Sequence, residues 1–132
     1  MSNNPLRILV VEDEKAIAHM IATVLGGPAA KVTSAANGWE ALLRVGVATQ
    51  PFDVVITDHR MPRVGGLELV KRLRSRGFTG KILVLSGHLS DEDIHAYEQL
   101  GVDMMMSKPF DFDELQQAMA VLKNKTPALV AA

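Results

Sequence analysis

The segment DVVITDHRMPRVGG, Asp53–Gly66, decides the fold class of this chain. Asp53–Thr57 is a short run rich in β-branched residues, which is typical of a strand buried on both faces. The polar loop Asp58–Gly66 follows directly, and apolar residues then recur at helical spacing, at Leu67, Val70 and Leu73. A buried strand, a polar loop and a helix in this order indicate one unit of an α/β protein with a parallel sheet.

The same alternation of strand and helix extends over the rest of the chain. Further strands are predicted at Arg7–Val11, Lys31–Ala35, Lys81–Ser86 and Met104–Ser107. Apolar residues at helical spacing follow each of them, and Ser90 is predicted to cap the helix after the fourth strand. Strand and helix alternate five times, which predicts a doubly wound five-stranded parallel sheet with helices on both faces. Sheets of this kind bind ligands at the carboxyl ends of their strands.

The composition excludes several classes of protein. Of 132 residues, 48% are hydrophobic and 22% charged, which is typical of one globular domain and excludes disordered and collagen-like chains. The net charge of -1 argues against direct binding of nucleic acid. Because the chain has no cysteine, disulfides, thiolate metal sites and a cysteine nucleophile are excluded.

No targeting or membrane segment is visible in the sequence. The apolar run Ile8–Val11 is shorter than a signal peptide requires, and no stretch approaches the ~18 apolar residues of a membrane helix. We therefore expect a cytoplasmic protein that does not bind a membrane. We assign residues 1–124 to one domain and residues 125–132 to a short C-terminal tail.

Five polar residues lie at the ends of the predicted strands. Glu12 and Asp13 follow the first strand, Asp58 follows the third, Ser86 closes the fourth and Lys108 follows the fifth. The carboxyl ends of parallel strands share one edge of the sheet. If the first and third strands are neighbours, three carboxylates meet in one crevice beside a lysine and a hydroxyl.

This set of side chains favours phosphoryl chemistry that depends on a metal ion. Clustered carboxylates repel one another and need a counter-ion, and Mg²⁺ prefers such hard oxygen ligands. A lysine ammonium and a serine hydroxyl can bind phosphoryl oxygens, and an aspartate can accept a phosphoryl group as a mixed anhydride. Together they would neutralise the charge that develops on the oxygens during transfer.

The sequence resembles the receiver domain of two-component response regulators from Arg7 to about Lys123. The segments that carry the resemblance are ILVVEDE (Ile8–Glu14), DVVITDHRMPRVGG (Asp53–Gly66), ILVLSGH (Ile82–His88) and MSKPF (Met106–Phe110). The resemblance implies a flavodoxin-like sheet with strand order 2-1-3-4-5. It also implies a phosphorylation-controlled signalling protein, which is not a conventional enzyme but catalyses its own phosphoryl transfer and its own dephosphorylation.

The resemblance assigns a role to each polar residue of the site. Asp58 would accept the phosphoryl group from a sensor histidine kinase or a histidine phosphotransfer protein. Asp13, Asp58 and the backbone carbonyl of Arg60 would ligate Mg²⁺, with Glu12 in the second acidic position. Because glutamate is one methylene longer than the more common aspartate, its metal contact is expected to run through water.

The remaining roles concern the phosphoryl group and the signal. Ser86 would be the switch hydroxyl, and Lys108 the family's active-site lysine, followed by a cis peptide bond to Pro109. Arg60 and His88 would flank the phosphoryl group and tune its hydrolysis. Since no output domain follows the last predicted helix, we expect signalling by contact with another protein, unless the chain is a piece of a longer one.

Two further expectations concern the methionines of the fifth predicted strand and the histidines. Met105 stands where the family usually has an aromatic switch residue, and we expect it to face outward while Met104 and Met106 are buried. Of the four histidines, we expect all except His88 to lie on the surface.

Two alternative functions stay open at this point. The first is a pseudo-receiver that binds partners without phosphorylation; Asp58 and Lys108 argue against it, whereas Glu12 and Met105 leave it open. The second is a small magnesium-dependent phosphohydrolase. Enzymes of the haloacid dehalogenase type have a second aspartate two residues after the nucleophile, and Arg60 occupies that place here. Neither a dinucleotide fingerprint nor a Walker A loop is present.

Overall fold

A computed structural model describes residues 4–124 and shows five strands alternating with five helices. The strands are β1 Leu6–Val11, β2 Ala30–Ala35, β3 Val54–Asp58, β4 Lys81–Ser86 and β5 Met104–Ser107. The helices are α1 Lys15–Leu25, α2 Gly38–Val47, α3 Gly66–Ser75, α4 Asp91–Gln99 and α5 Phe112–Asn124. All five strand–helix units predicted from the sequence are confirmed. The tail predicted at residues 125–132 lies outside the described residues.

The strands form one parallel sheet in the order β2-β1-β3-β4-β5. The fold predicted from the sequence and its family resemblance is therefore confirmed. In this order β1 and β3 are hydrogen-bonded neighbours, with Val11 opposite Thr57 at their carboxyl ends. The residues that directly follow these two strands are thus brought side by side.

Two apolar cores lie on opposite faces of the sheet. Side chains alternate along each strand, so Ile8 and Val10 of β1 belong to one core and Leu9 and Val11 to the other. Helices α1 and α5 contribute to the first core, and α2, α3 and α4 contribute to the second. Full burial of one such side chain contributes about 1.5–3 kcal/mol to stability. Because both faces are covered, only the ends of the strands are available for polar chemistry.

Local signals fix where two of the helices begin. The Asn37 side chain accepts a hydrogen bond from the Glu40 amide at 2.8 Å and caps α2. Ser90 caps α4 as predicted, and the Ser90 amide donates to the carboxylate of Asp93, which completes a capping box. Each cap supplies an acceptor for an amide that has no partner within the helix.

Two glycines of α2 test the packing between α2 and the loop before α3. A methyl group at Gly38 would lie 2.7 Å from the side chain of Val64, whose carbonyl accepts the Gly38 amide, whereas one at Gly46 would meet nothing within 4 Å. We expect Gly38→Ala to lower the free energy of unfolding by about 1–3 kcal/mol through overpacking. Gly46→Ala is expected to raise it by up to about 1 kcal/mol, because alanine favours helix. Urea denaturation measures both, and equal effects of the two substitutions would contradict this packing.

Candidate functional site

Three carboxylates meet at the carboxyl end of the sheet. Glu12 and Asp13 directly follow β1, and Asp58 is the last residue of the neighbouring strand β3. One oxygen from each of the three lies within 4.8 Å of the other two. Glu12 and Asp58 are buried, at 2% and 6% exposure, whereas Asp13 is exposed. Such a set of hard oxygen donors is compatible with a divalent cation.

Lys108 supplies the positive charge that faces this cluster. Its ammonium Nζ lies 2.9 Å from Oε1 of Glu12 and 3.1 Å from Oδ1 of Asp58. Its own amide donates to the carbonyl of Ser86 at 2.8 Å, which fixes the start of the Lys108 side chain beside β4. The peptide bond from Lys108 to Pro109 is cis, as the resemblance implied.

Burial and charge shift the pKa values of these groups in a consistent way. Burial raises the pKa of both Glu12 and Asp58, and their hydrogen bonds to Lys108 offset this only in part. Burial lowers the pKa of Lys108, but its hydrogen bonds to the two carboxylates and their negative charge outweigh that effect, so its pKa is raised. The lysine is therefore held in its charged form, and the two carboxylates are costly to keep ionised.

An open cleft gives access to the site from solvent. It has a volume of about 560 Å³, and its lining includes Asp13, Asp58, Arg60 and Lys108. The structure thus brings Glu12, Asp13 and Asp58 together in the acidic cluster and places Arg60 in the lining of the same cleft as Asp13 and Asp58. Asp58 is therefore accessible from solvent through this cleft.

Ser86 lies beside this cluster but is bonded elsewhere. It is buried at the end of β4, and its hydroxyl donates to the carbonyl of His88 at 2.7 Å and accepts from the His88 amide at 3.0 Å. A cavity of about 380 Å³ lies next to it, lined in part by Ile94 and Met105. In this arrangement the hydroxyl is held by the β4–α4 loop and not by the acidic cluster.

The prediction that Met105 faces outward is wrong. All three are half-buried, with Met105 packed against the core of α2, α3 and α4, and Met104 and Met106 against the core of α1 and α5. β5 is an edge strand, yet both of its faces are covered by helices. Alternation assigned the faces correctly but could not show that both were covered.

The prediction that His59 lies on the surface is also wrong. Its Nδ1 is 2.6 Å from the hydroxyl of Tyr97, and its Nε2 is 3.4 Å from Oδ2 of Asp93, both on α4. The two rings meet edge to face at 5.5 Å. Sequence reasoning missed Tyr97, which is fully buried. Its spacing of four residues from Asp93 places the two on one face of α4, a signal that could have been used.

The family model of the response regulator receiver domain matches residues 8–120 of this chain. The chain belongs to the response regulator receiver family. Receiver domains of this family are signalling modules of two-component systems rather than conventional enzymes. They interact with a histidine kinase or a phosphotransfer donor, and they generally bind Mg²⁺.

Several curated relatives are similar to this receiver domain. Response regulator MprA of Mycolicibacterium vanbaalenii is 38% identical, and the match covers 93% of this chain and 53% of that protein. Two-component response regulator PhoP of Pseudomonas aeruginosa is 32% identical, with 95% and 55% covered. The chain therefore spans about half the length of these relatives. Two-component response regulator ORR41 of Oryza sativa is 33% identical, with 91% of this chain and 96% of that protein covered.

Solved structures give the same result for the fold. Chemotaxis protein CheY4 of Vibrio cholerae superimposes with a TM-score of 0.82 at 30% identity, covering 90% of this chain and 99% of that one. The receiver domain of Francisella response regulator 1452 has a TM-score of 0.77 at 34% identity, with 90% and 96% covered.

The comparisons do not identify the output partner of this domain. A transcriptional regulatory protein, CutR of Streptomyces coelicolor, is 36% identical over 92% of this chain and 55% of its own length. The absence of direct nucleic-acid binding therefore stays a prediction. Across residues 4–124, every helix is too short or too polar to cross a bilayer.

Glu12 and Asp13 give a matched test of metal binding. Both oxygens of Glu12 are already engaged, Oε1 by Lys108 and Oε2 by the Glu14 amide at 3.1 Å, whereas Asp13 faces the cleft. We expect Asp13→Asn to weaken Mg²⁺ binding tenfold or more, at least ~1.4 kcal/mol, and Glu12→Gln to weaken it less. Each variant loses one negative charge, so calorimetric titration isolates position from charge. A larger loss in Glu12→Gln would reverse the assignment.

The raised pKa of Asp58 predicts a pH-dependent effect of Asp58→Asn without metal. A carboxyl whose folded pKa exceeds its unfolded value stabilises the fold at low pH, and this contribution is lost as pH rises through the folded pKa. Relative to wild type, Asp58→Asn should therefore gain stability as pH rises from about 4 to 7. Urea denaturation with a chelator present measures this, with Glu98→Gln as the control for losing one exposed carboxylate. A stability difference that does not change with pH would contradict it.

Proposed function

We propose that this receiver domain accepts a phosphoryl group on Asp58 from a phosphohistidine of a sensor kinase or phosphotransfer protein. The observation that carries this proposal is the environment of Asp58. It is a buried carboxylate that opens onto a cleft, with a lysine ammonium 3.1 Å away and two further acids beside it. In this environment Asp58 can act as the nucleophile, because the fixed positive charge of the lysine can stabilise the negative charge that develops on the phosphoryl oxygens.

The transfer follows from the positions of these groups. A carboxylate oxygen of Asp58 attacks phosphorus, and a P–O bond forms as the P–N bond to the donor imidazole breaks. The imidazole leaves with a proton from solvent, and an acyl phosphate remains on Asp58. The activated state ends by hydrolysis: water attacks phosphorus, and the P–O bond to Asp58 breaks to release inorganic phosphate. We propose that the domain catalyses this dephosphorylation itself, with Arg60 and His88 at the approach to the phosphoryl group.

The residues present fit a Mg²⁺ ion. Asp13 and Asp58 would hold it directly, together with the backbone carbonyl of Arg60, and Glu12 would contact it through water. Three carboxylates against one lysine leave an excess of negative charge that a divalent cation matches. When bound, the ion supplies positive charge to phosphoryl oxygens. Lys108 holds another phosphoryl oxygen, and the Ser86 hydroxyl would turn from His88 toward the phosphoryl group.

The output is proposed to be contact with another protein, with no direct binding of nucleic acid or membrane. The near-neutral charge of the chain supports this proposal. We further propose that residues 1–124 form the receiver domain, that residues 125–132 are a short tail, and that the protein works in the cytoplasm.

Intact mass spectrometry tests the phosphoacceptor. After incubation with Mg²⁺ and acetyl phosphate, wild type should gain one phosphoryl group and Asp58→Asn none. Asp91→Asn, which removes an exposed acid from the first turn of α4, is the control and should be labelled as wild type. Lys108→Ala should slow labelling by about a hundredfold or more, the usual effect of removing one preorganised positive group. Full labelling of Asp58→Asn at another residue would refute the assignment.

A further inference from the structure

The single tyrosine of the chain reaches from α4 to the residue that follows the phosphoacceptor. Tyr97 is fully buried, and its hydroxyl is hydrogen-bonded to Nδ1 of His59. A buried hydroxyl costs about 1–3 kcal/mol when it loses its partner. The bond between these side chains therefore contributes to where each of them lies.

The hydrogen-bond pattern continues from His59 back to α4. When the Tyr97 hydroxyl donates to Nδ1, the ring proton lies on Nε2, which faces Oδ2 of Asp93 at 3.4 Å. The same Asp93 oxygen accepts from the Ser90 amide in the capping box of α4. One imidazole thus contacts α4 at its first turn and again one turn later.

The backbone around this contact has no free space. His59 donates its amide to Leu85 of β4 and accepts from the amide of Gly66 at the start of α3. A methyl group at Gly66 would lie 2.5 Å from the Asp58 carbonyl oxygen and 2.9 Å from the Tyr97 hydroxyl. Gly66 therefore packs closely against both the carbonyl of the phosphoacceptor and the Tyr97 hydroxyl.

The usual route of the family is altered in this chain. Met105 replaces the aromatic residue of β5, and methionine occupies several rotamers at similar energy. Met105 also packs against the core that contains Tyr97. The aromatic side chain that contacts the β3–α3 loop, at His59, is thus on α4 and not on β5.

We infer that Tyr97 and His59 are positioning residues that couple the phosphorylation state of Asp58 to helix α4. The inference rests on the proposed function and specifies how phosphorylation of that site affects the position of α4. A phosphoryl group on Asp58 changes the charge next to His59. Because hydrogen bonds weaken steeply as their geometry departs from the ideal, a movement of the β3–α3 loop that shifts His59 would change the free energy of the α4 position. The two states of α4 can then be populated differently.

The test uses beryllofluoride with Mg²⁺ as the phosphoryl mimic and amide chemical shifts as the readout. In wild type we expect shift changes both at the site, around Asp13 and Arg60, and along α4, Asp91–Gln99. In Tyr97→Phe, which keeps the ring and removes the hydroxyl, the site should still respond. The α4 shift changes should fall below about half of the wild-type values.

A double-mutant cycle separates coupling from a general loss of structure. His59→Leu removes the other end of the same bond. The α4 shift changes of the double variant should therefore be no smaller than those of either single variant. Thr57→Val is the matched control: it removes another buried hydroxyl, which donates to the Asp58 carbonyl at 3.0 Å, and should leave the α4 response intact. Should Tyr97→Phe fail to fold, His59→Leu alone tests the link, because His59 is only half-buried.

Each outcome decides the question. A full α4 response in Tyr97→Phe, or an α4 response lost in Ser86→Ala but kept in Tyr97→Phe, would overturn the inference while leaving the proposed function intact. Additive losses in the cycle would also overturn it, because they indicate two independent effects. If wild type shows no shift changes at the site, the proposed function fails, and the inference fails with it.

Discussion

The ammonium of Lys108 lies between two buried carboxylates, and the rest of the site depends on this contact. Glu12 and Asp58 would repel each other across a few ångströms if nothing of opposite charge faced both. The lysine is 96 residues from Glu12 in sequence, and β4 lies between β3 and β5, the strand that Lys108 directly follows. It reaches the acids because all strands are parallel and end at the same edge. The sheet topology is thus what makes the burial of the acids tolerable.

One lysine does not balance three carboxylates, and this imbalance gives the site its chemistry. The remaining negative charge sits at an open cleft, where a divalent cation or the charged groups around an incoming phosphoryl donor can reach it. Burial raises the pKa values of Glu12 and Asp58, because their charged forms lose solvation. Metal binding and phosphorylation, as proposed, would both change the charge at this point. The stability of the surrounding loops would then depend on the chemical state of the site.

Two contacts connect this charge to the α4 side of the molecule. Ser86 is bonded to the β4–α4 loop through His88, and His59 is bonded to α4 itself through Tyr97 and Asp93. The first uses a residue of the family pattern, whereas the second uses residues that the pattern does not specify. With a flexible methionine at position 105, the second contact is the more rigid one, because an aromatic ring and an imidazole have few rotamers to exchange.

The sequence by itself determined the α/β architecture, the positions of the strands and the polar residues at their ends, because buried parallel strands read as continuous apolar runs. Glu12, Asp13, Asp58 and Lys108 could be named from these positions and from the family motifs. Only the tertiary structure showed that Lys108 bridges Glu12 and Asp58, and that His59 is bonded to Tyr97. These contacts join elements distant in sequence, and their partners are set by how α3 and α4 pack on the sheet. No local pattern of residues encodes that packing.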